Sequence, residues 1–204
     1  MKVYQFEVGD MQNFTYLLED EDTGEAIVID PSWDLPDVIQ TIERNNMKVK
    51  YIVNTHYHFD HTIGNDFMVK STGAKIIQHK ESTLKNDMKV SDGDKIKFGN
   101  SEITVFHTPG HSKDSICLVG DDKIFSGDTL FVGNCGRVDL PGGNARELYH
   151  SLFDVISKMN ENYVLYPGHN YGSSVSSTIG KEKKTNFVLQ SRTEDEFVEF
   201  MNSE

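Results

Sequence analysis

Four times in this chain an apolar, strand-like run ends in a tight turn that carries a metal-ligating side chain, and any fold it adopts has to bring those four turns to one place. The first is the densest. Val49-Lys50-Tyr51-Ile52-Val53-Asn54 is β-branched and aromatic, the composition of a strand, and it delivers Thr55-His56-Tyr57-His58-Phe59-Asp60-His61. His56 and His58 are two apart, so they cannot share a helical face at i, i+4; alternate residues of an extended segment point the same way instead. The other three turns set a glycine directly before the ligand. These are Gly110-His111 after Ile103–Phe106, Gly127-Asp128 after Lys123–Phe125, and Gly168-His169 after Tyr163–Tyr166. Carboxyl ends of strands are where α/β proteins build their sites. Five of the eight histidines fall in these segments, so the other three, His79, His107 and His150, are expected to be structural or exposed.

His56, His58, Asp60, His61, His111, Asp128 and His169 are too many ligands for one ion. A catalytic zinc takes about three protein ligands, whereas two ions about 3.5–4 Å apart share such a set with a bridging solvent. The expected cofactor is therefore a pair of divalent metal ions. Neutral imidazole and carboxylate suit zinc first, with iron or manganese as alternatives. No thiolate is needed, so Cys117 and Cys135 are not expected among the ligands.

The ordered set His56-x-His58-x-Asp60-His61, His111, Asp128 and His169 resembles that of the metallo-β-lactamase fold hydrolases, specifically the glyoxalase II-like branch, over about residues 12 to 190. The resemblance implies an α/β (α+β) fold, a four-layer αββα sandwich. It also implies that His56, His58 and His111 hold one metal, that Asp60, His61 and His169 hold the other, and that Asp128 bridges them. True β-lactamases usually carry cysteine at the bridging position, so Asp128 argues against antibiotic hydrolysis. Water between two divalent cations has its pKa lowered from about 15.7 toward 7. Hydroxide is then the nucleophile, Asp60 orients it and is the candidate proton acceptor, and no serine or cysteine is required. Arg137, in the loop Gly133–Asp139, and Tyr171 match family positions that contact the thiol part of the substrate, where a guanidinium fork suits a carboxylate.

Two departures bear on the substrate. Glyoxalase II proper ends in a long helical domain that holds glutathione, yet only 35 residues follow His169. Persulfide dioxygenases are also short and share Cys135-Gly136-Arg137-x-Asp139 and Tyr166-Pro167-x-His169-x-Tyr171. They use one iron, held by the counterparts of His56, His111 and Asp128. Against that reading, Thr185-Asn186-Phe187-Val188 puts valine where an arginine that helps those enzymes hold glutathione aligns. The expectation is a binuclear hydrolase of a small-molecule thioester or thiol conjugate. An iron persulfide dioxygenase is the alternative, and a non-enzymatic metal-binding or redox-sensing module comes a distant third.

The rest of the chain reads as one domain over residues 1–204. Strands are expected at Val3–Val8, Phe14–Leu18 and Ala26–Asp30, with an acidic turn before the third. Helices are expected at Leu35–Asn45 capped by Asp34, at Asp60–Ser71 and at Ala145–Met159 capped by Asn144. A short C-terminal helix should open on the capping box Thr193-x-x-Glu196, with Phe197, Phe200 and Met201 as packing residues. Lys181-Glu182-Lys183-Lys184 reads as a solvated face. A net charge of −12 without a Lys/Arg stripe argues against nucleic acid as a partner. The chain shows no apolar run long enough for a membrane span and no signal peptide, which places it in the cytoplasm as an expectation. A homodimer is a family-level expectation.

Overall fold

Period-two alternation along the strands decides which side chains meet which layer. The structure is a computed structural model and describes residues 1–33 and 35–203. Its first sheet runs in chain order through β1 (Lys2–Val8), β2 (Asn13–Glu19), β3 (Glu25–Ile29), β4 (Lys48–Val53), β5 (Lys75–His79) and β6 (Met88–Val90). The first three strands pair antiparallel, and β3 to β6 pair parallel. The second sheet holds β7 (Lys95–Phe98), β8 (Ser101–His107), β9 (Ile116–Gly120), β10 (Lys123–Gly127), β11 (Val164–Pro167) and β12 (Ser177–Thr178), again neighbours in chain order. Within it β10 and β11 pair parallel and the other neighbours antiparallel.

Parallel neighbours need crossovers, and helices supply all but that from β5 to β6, which runs as a loop. The helix α1 (Pro36–Arg44) joins β3 to β4, and α2 (Phe59–Thr62) with α3 (Asn65–Thr72) joins β4 to β5. A helix α4 (Ala145–His150) lies between β10 and β11, and α5 (Ile179–Thr185) and α6 (Glu194–Ser203) follow β12. Tyr16, Leu18, Ile27 and Ile29 from the first sheet pack on Ile103, Val105, Leu118 and Phe125 from the second. Their alternates face outward. Leu17, Ala26 and Val28 bury Val38, Ile42 and Met68 of α1 and α3, while Cys117, Ile124 and Leu165 bury Leu148, Leu152 and Phe197 on the other side. The result is helix, sheet, sheet, helix in four layers, the fold expected.

Most element positions agree with the sequence to within a residue or two. The expected cap Asp34 lies outside the described residues. The single helix expected over Asp60–Ser71 is instead two, broken at Ile63-Gly64. Gly64 donates its N–H to Pro31 O at 2.9 Å, and a Cβ there would stand 2.6 Å from that oxygen, so the chain turns against the Pro31 backbone rather than continuing. The helix expected over Ala145–Met159 starts on the Asn144 cap but changes winding, passing through a π-type turn at Ser151–Val155 and a 3-10 turn at Ile156–Lys158. The capping box forms as expected, with Thr193 N donating to Glu196 Oε2 at 2.6 Å.

One expectation is overturned. Glu182 does not lie on a solvated face; it is 1 % exposed. Its carboxylate accepts from Gly133 N at 2.8 Å, Asn186 Nδ2 at 3.0 Å and Ser177 Oγ at 2.5 Å. Only its lysine neighbours belong to the surface, as in the exposed pair of Lys183 with Glu161. Among the described residues no helix is long and apolar enough to cross a membrane.

Candidate metal centre

Four strand ends and one short helix converge at one edge of the sandwich. β4 runs out into His56 and His58, β8 leads to His111, β10 to Asp128 and β11 to His169, while α2 turns Asp60 and His61 back into the same space. The seam between the sheets is stitched beside them. Phe14 N donates to Gly168 O at 2.8 Å, Tyr16 Oη to Pro167 O at 2.5 Å and Ile116 N to Thr55 O at 2.9 Å. Glycines are required where the turns close tightest. Gly127 has φ +49°, and a Cβ on it would lie 2.5 Å from Thr55 Oγ1; a Cβ on Gly168 would lie 2.3 Å from Asp128 Oδ1.

The seven expected side chains all arrive here. The ligand atoms of His56, His58 and His111 lie within 4.8 Å of one another, as do those of Asp60, His61 and His169, and those of His56, His61 and Asp128. His58 Nδ1 is 2.8 Å from His111 Nε2, and His61 Nε2 is 3.2 Å from His169 Nε2. Between the two groups stands Asp128, with Oδ2 3.5 Å from His111 Nε2 and 3.3 Å from His169 Nε2, and Oδ1 3.3 Å from His61 Nε2. Neither cysteine joins these groups; burial pushes the Cys117 thiol up to about 11, and Cys135 forms part of the cleft wall.

The donor set fits metal ions. His56 Nε2 and Asp128 Oδ1 are buried without a hydrogen-bond partner, an expensive state for two polar atoms unless a cation takes their lone pairs. Burial, and then neighbouring His61, hold the His56 imidazole well below its usual range; burial and His111 bring His58 down to about 4. These two are neutral and ready to ligate. Burial pulls His61 and His169 the same way but is outweighed by Asp128, which with Asp30 raises His61 well above the usual range and with Asp60 lifts His169 to about 9. Asp60 resists burial through His169 and His61 and sits at about 2, and the same two histidines hold Asp128 well below the carboxylate range. Two imidazolium protons thus supply, in the metal-free chain, positive charge that ions would bring.

The far nitrogens are fixed by groups that the sequence did not announce. His111 Nδ1 donates to Arg137 O at 2.7 Å and His169 Nδ1 to Met11 O at 2.8 Å. Asp30, 2 % exposed with φ 48°, accepts from Thr55 N at 2.7 Å and Thr55 Oγ1 at 2.6 Å, and lies 2.9 Å from His61 Nδ1. Asn13 Nδ2 donates to Asp60 Oδ2 at 2.9 Å. An acidic residue at the end of a strand directly before Pro31-Ser32 was the available signal for Asp30; Asn13 carried none. Carboxylates and carbonyls behind ligating histidines set tautomer and basicity.

A cleft of about 730 Å³ opens over the centre. Tyr171 stacks on His169 with ring centroids 4.5 Å apart, and Phe131 meets both rings edge-on. Tyr57 Oη donates to Pro141 O across another wall. Arg137 also lines the cleft, with its guanidinium fork engaged by both oxygens of Asp139.

The model of the metallo-beta-lactamase superfamily matches residues 8–169. The chain belongs to the metallo-β-lactamase superfamily. Two relatives of this superfamily chain are the human mitochondrial persulfide dioxygenase ETHE1, 34 % identical over 194 residues (93 % of this chain, 76 % of the relative), and a hydroxyacylglutathione hydrolase of Polaromonas sp., 36 % identical over 179 residues (84 % and 67 %). Among solved structures, ETHE1 from Myxococcus xanthus superposes with a TM-score of 0.94 at 30 % identity, covering 99 % of this chain and 90 % of that one. The names divide between a dioxygenase and a hydrolase. What they share, a metal-dependent enzyme of the metallo-β-lactamase superfamily, holds for this chain.

Proposed function

We propose that this enzyme is a binuclear metal-dependent hydrolase of thioesters of a low-molecular-weight thiol, the class to which hydroxyacylglutathione belongs, with zinc as the first metal to test and iron or manganese next. The observation that carries the reading is the contact of two complete donor groups through Asp128, whose Oδ2 lies 3.5 Å from His111 Nε2 and 3.3 Å from His169 Nε2. Asp60, His61 and His169 form a second donor cluster beside that of His56, His58 and His111, as two ions require. Bound divalent ions supply water ionised near neutral pH and a polarised carbonyl oxygen.

The chain's own residues place the reactants. Asp60 Oδ2, held by Asn13 and 3.4 Å from the Nε2 atoms of both His61 and His169, orients the attacking water and is the group positioned to take its proton. A bond forms from the water oxygen to the carbonyl carbon. The carbon–sulfur bond then breaks with its electron pair going to sulfur, giving a carboxylate and a thiol once the thiolate picks up a proton. Tyr171 and Phe131 wall the sulfur side of the cleft with aromatic surface. The likeness to persulfide dioxygenases favours a second reading, in which His56, His111 and Asp128 hold one iron for oxidation of a thiol persulfide by molecular oxygen.

Metal content and two assays separate these readings. Near two ions per chain in protein purified without chelator, with hydrolysis of a chromogenic thioester and no oxygen uptake, supports the hydrolase. One iron per chain with persulfide-dependent oxygen consumption sinks it in favour of the dioxygenase.

A further inference from the structure

Asp60 is the carboxylate on which the proposed chemistry turns, and what holds it can be followed outward through two further side chains. Asn13, at the start of β2 and fully buried, donates from Nδ2 to Asp60 Oδ2 at 2.9 Å and to Asp60 O at 3.3 Å. A side-chain amide can turn either its nitrogen or its oxygen toward a neighbour, so these bonds need something to set their direction. Trp33 supplies it. Its indole Nε1 donates to Asn13 Oδ1 at 3.0 Å, and an indole nitrogen can only donate. A turned amide would set its NH2 against that N–H and its oxygen against the Asp60 carboxylate, losing every one of these bonds and bringing like poles together. The ring is itself seated. It meets Phe59, the residue before Asp60, edge-on with centroids 5.8 Å apart, and a Cβ on Gly9 would overlap it.

We infer that Trp33 is a positioning residue of the metal centre: its indole N–H fixes the facing of the Asn13 amide, and through it holds Asp60 Oδ2 in place for the ion proposed at Asp60, His61 and His169 and for the attacking water. The consequence rests on the binuclear reading, whereas the relay itself does not. The chain holds one tryptophan, so growth of a tryptophan-requiring host on 3-benzothienylalanine, which puts sulfur in place of the N–H, alters this position alone. Trp33→Phe, which keeps an aromatic ring against Phe59, is the genetic counterpart. Calorimetric titration of the metal-free protein with zinc should show the equivalent that His169→Ala abolishes weakened by about tenfold in both, and the other by less than about twofold. A merely structural role would weaken both equivalents or neither, and either result overturns the inference. One zinc per wild-type chain refutes the binuclear reading instead. The relay is then decided without metal by solvent exchange of the Asn13 side-chain amide protons, which should run about tenfold or more faster in the analogue protein; an unchanged rate overturns it.

Discussion

A histidine proposed as a ligand depends on the group that aims it, and Asp30 aims His61 while also gripping Thr55 at the root of the His56 turn. Asp30→Asn keeps the shape and loses the charge. The expected outcome is a loss of about 10–100-fold in affinity for the ion proposed at Asp60, His61 and His169, read as a second zinc equivalent that chelator strips first. Retention of both ions with wild-type affinities would count against that role. The titration behaviour of the centre gives a second prediction. His169, raised to about 9 from the usual 6.5, stabilises the metal-free fold below about pH 6.5, and that contribution is lost as pH rises through about 9. Ions must displace its proton, so zinc affinity should rise from pH 6 toward 9 with measurable proton release; a pH-independent affinity contradicts this. The clustering of the seven candidate side chains was legible because few tasks other than metal binding call for such types at such spacing. Asp30 and Asn13 were not, since an acid ending one strand or an amide opening another looks like any other until the fold sets it behind a ligand.

Elements hide their function best where composition looks solvated. In α5, Glu182 sits among three lysines and yet its carboxylate fastens the loop of Gly133 and Asn134, helped by Asn186 Nδ2, which donates to Phe131 O at 3.3 Å and Asn134 O at 3.1 Å. That loop carries part of the cleft wall. Glu182→Ala removes the carboxylate partner of Gly133 N and Ser177 Oγ, each costing about 1–3 kcal/mol if left unsatisfied, and about 2–4 °C of Tm per kcal/mol is the scale for a chain of this size. A melting point within error of wild type would show that the loop holds itself. Lys183→Ala, on the exposed face, should change stability by less than about 0.5 kcal/mol. Strand positions were readable because inward and outward residues alternate. The break at Gly64 was not, because it depends on Pro31, a residue far away along the chain whose carbonyl lies where a side chain would go.

Across the whole molecule, the ends of β5 and β8 meet in a stacked pair, His79 on His107, with ring centroids 4.0 Å apart and planes 19° from parallel. His79 is 1 % exposed, its Nε2 lacks a partner, and burial followed by His107 brings it down to about 4. The unfolded chain takes up this proton near 6.5 and the folded one near 4, so stability should fall as pH drops across that window. His79→Phe keeps the stack and should flatten the decline between pH 6.5 and 5 in urea unfolding; an unaltered slope would assign the acid sensitivity elsewhere. The two sheets are also contiguous in sequence, the first ending at Val90 and the second beginning at Lys95, with Gly93 at φ +79° in the turn between. His56, His58, Asp60 and His61 stand on one side of that turn, and His111, Asp128 and His169 on the other. Cut at Gly93, the protein becomes two fragments that each own an incomplete set of donors. Their reassembly should then depend on dissolved zinc, tightening when it is supplied and loosening with chelator, so that an enzyme of this shape doubles as a metal-gated split pair.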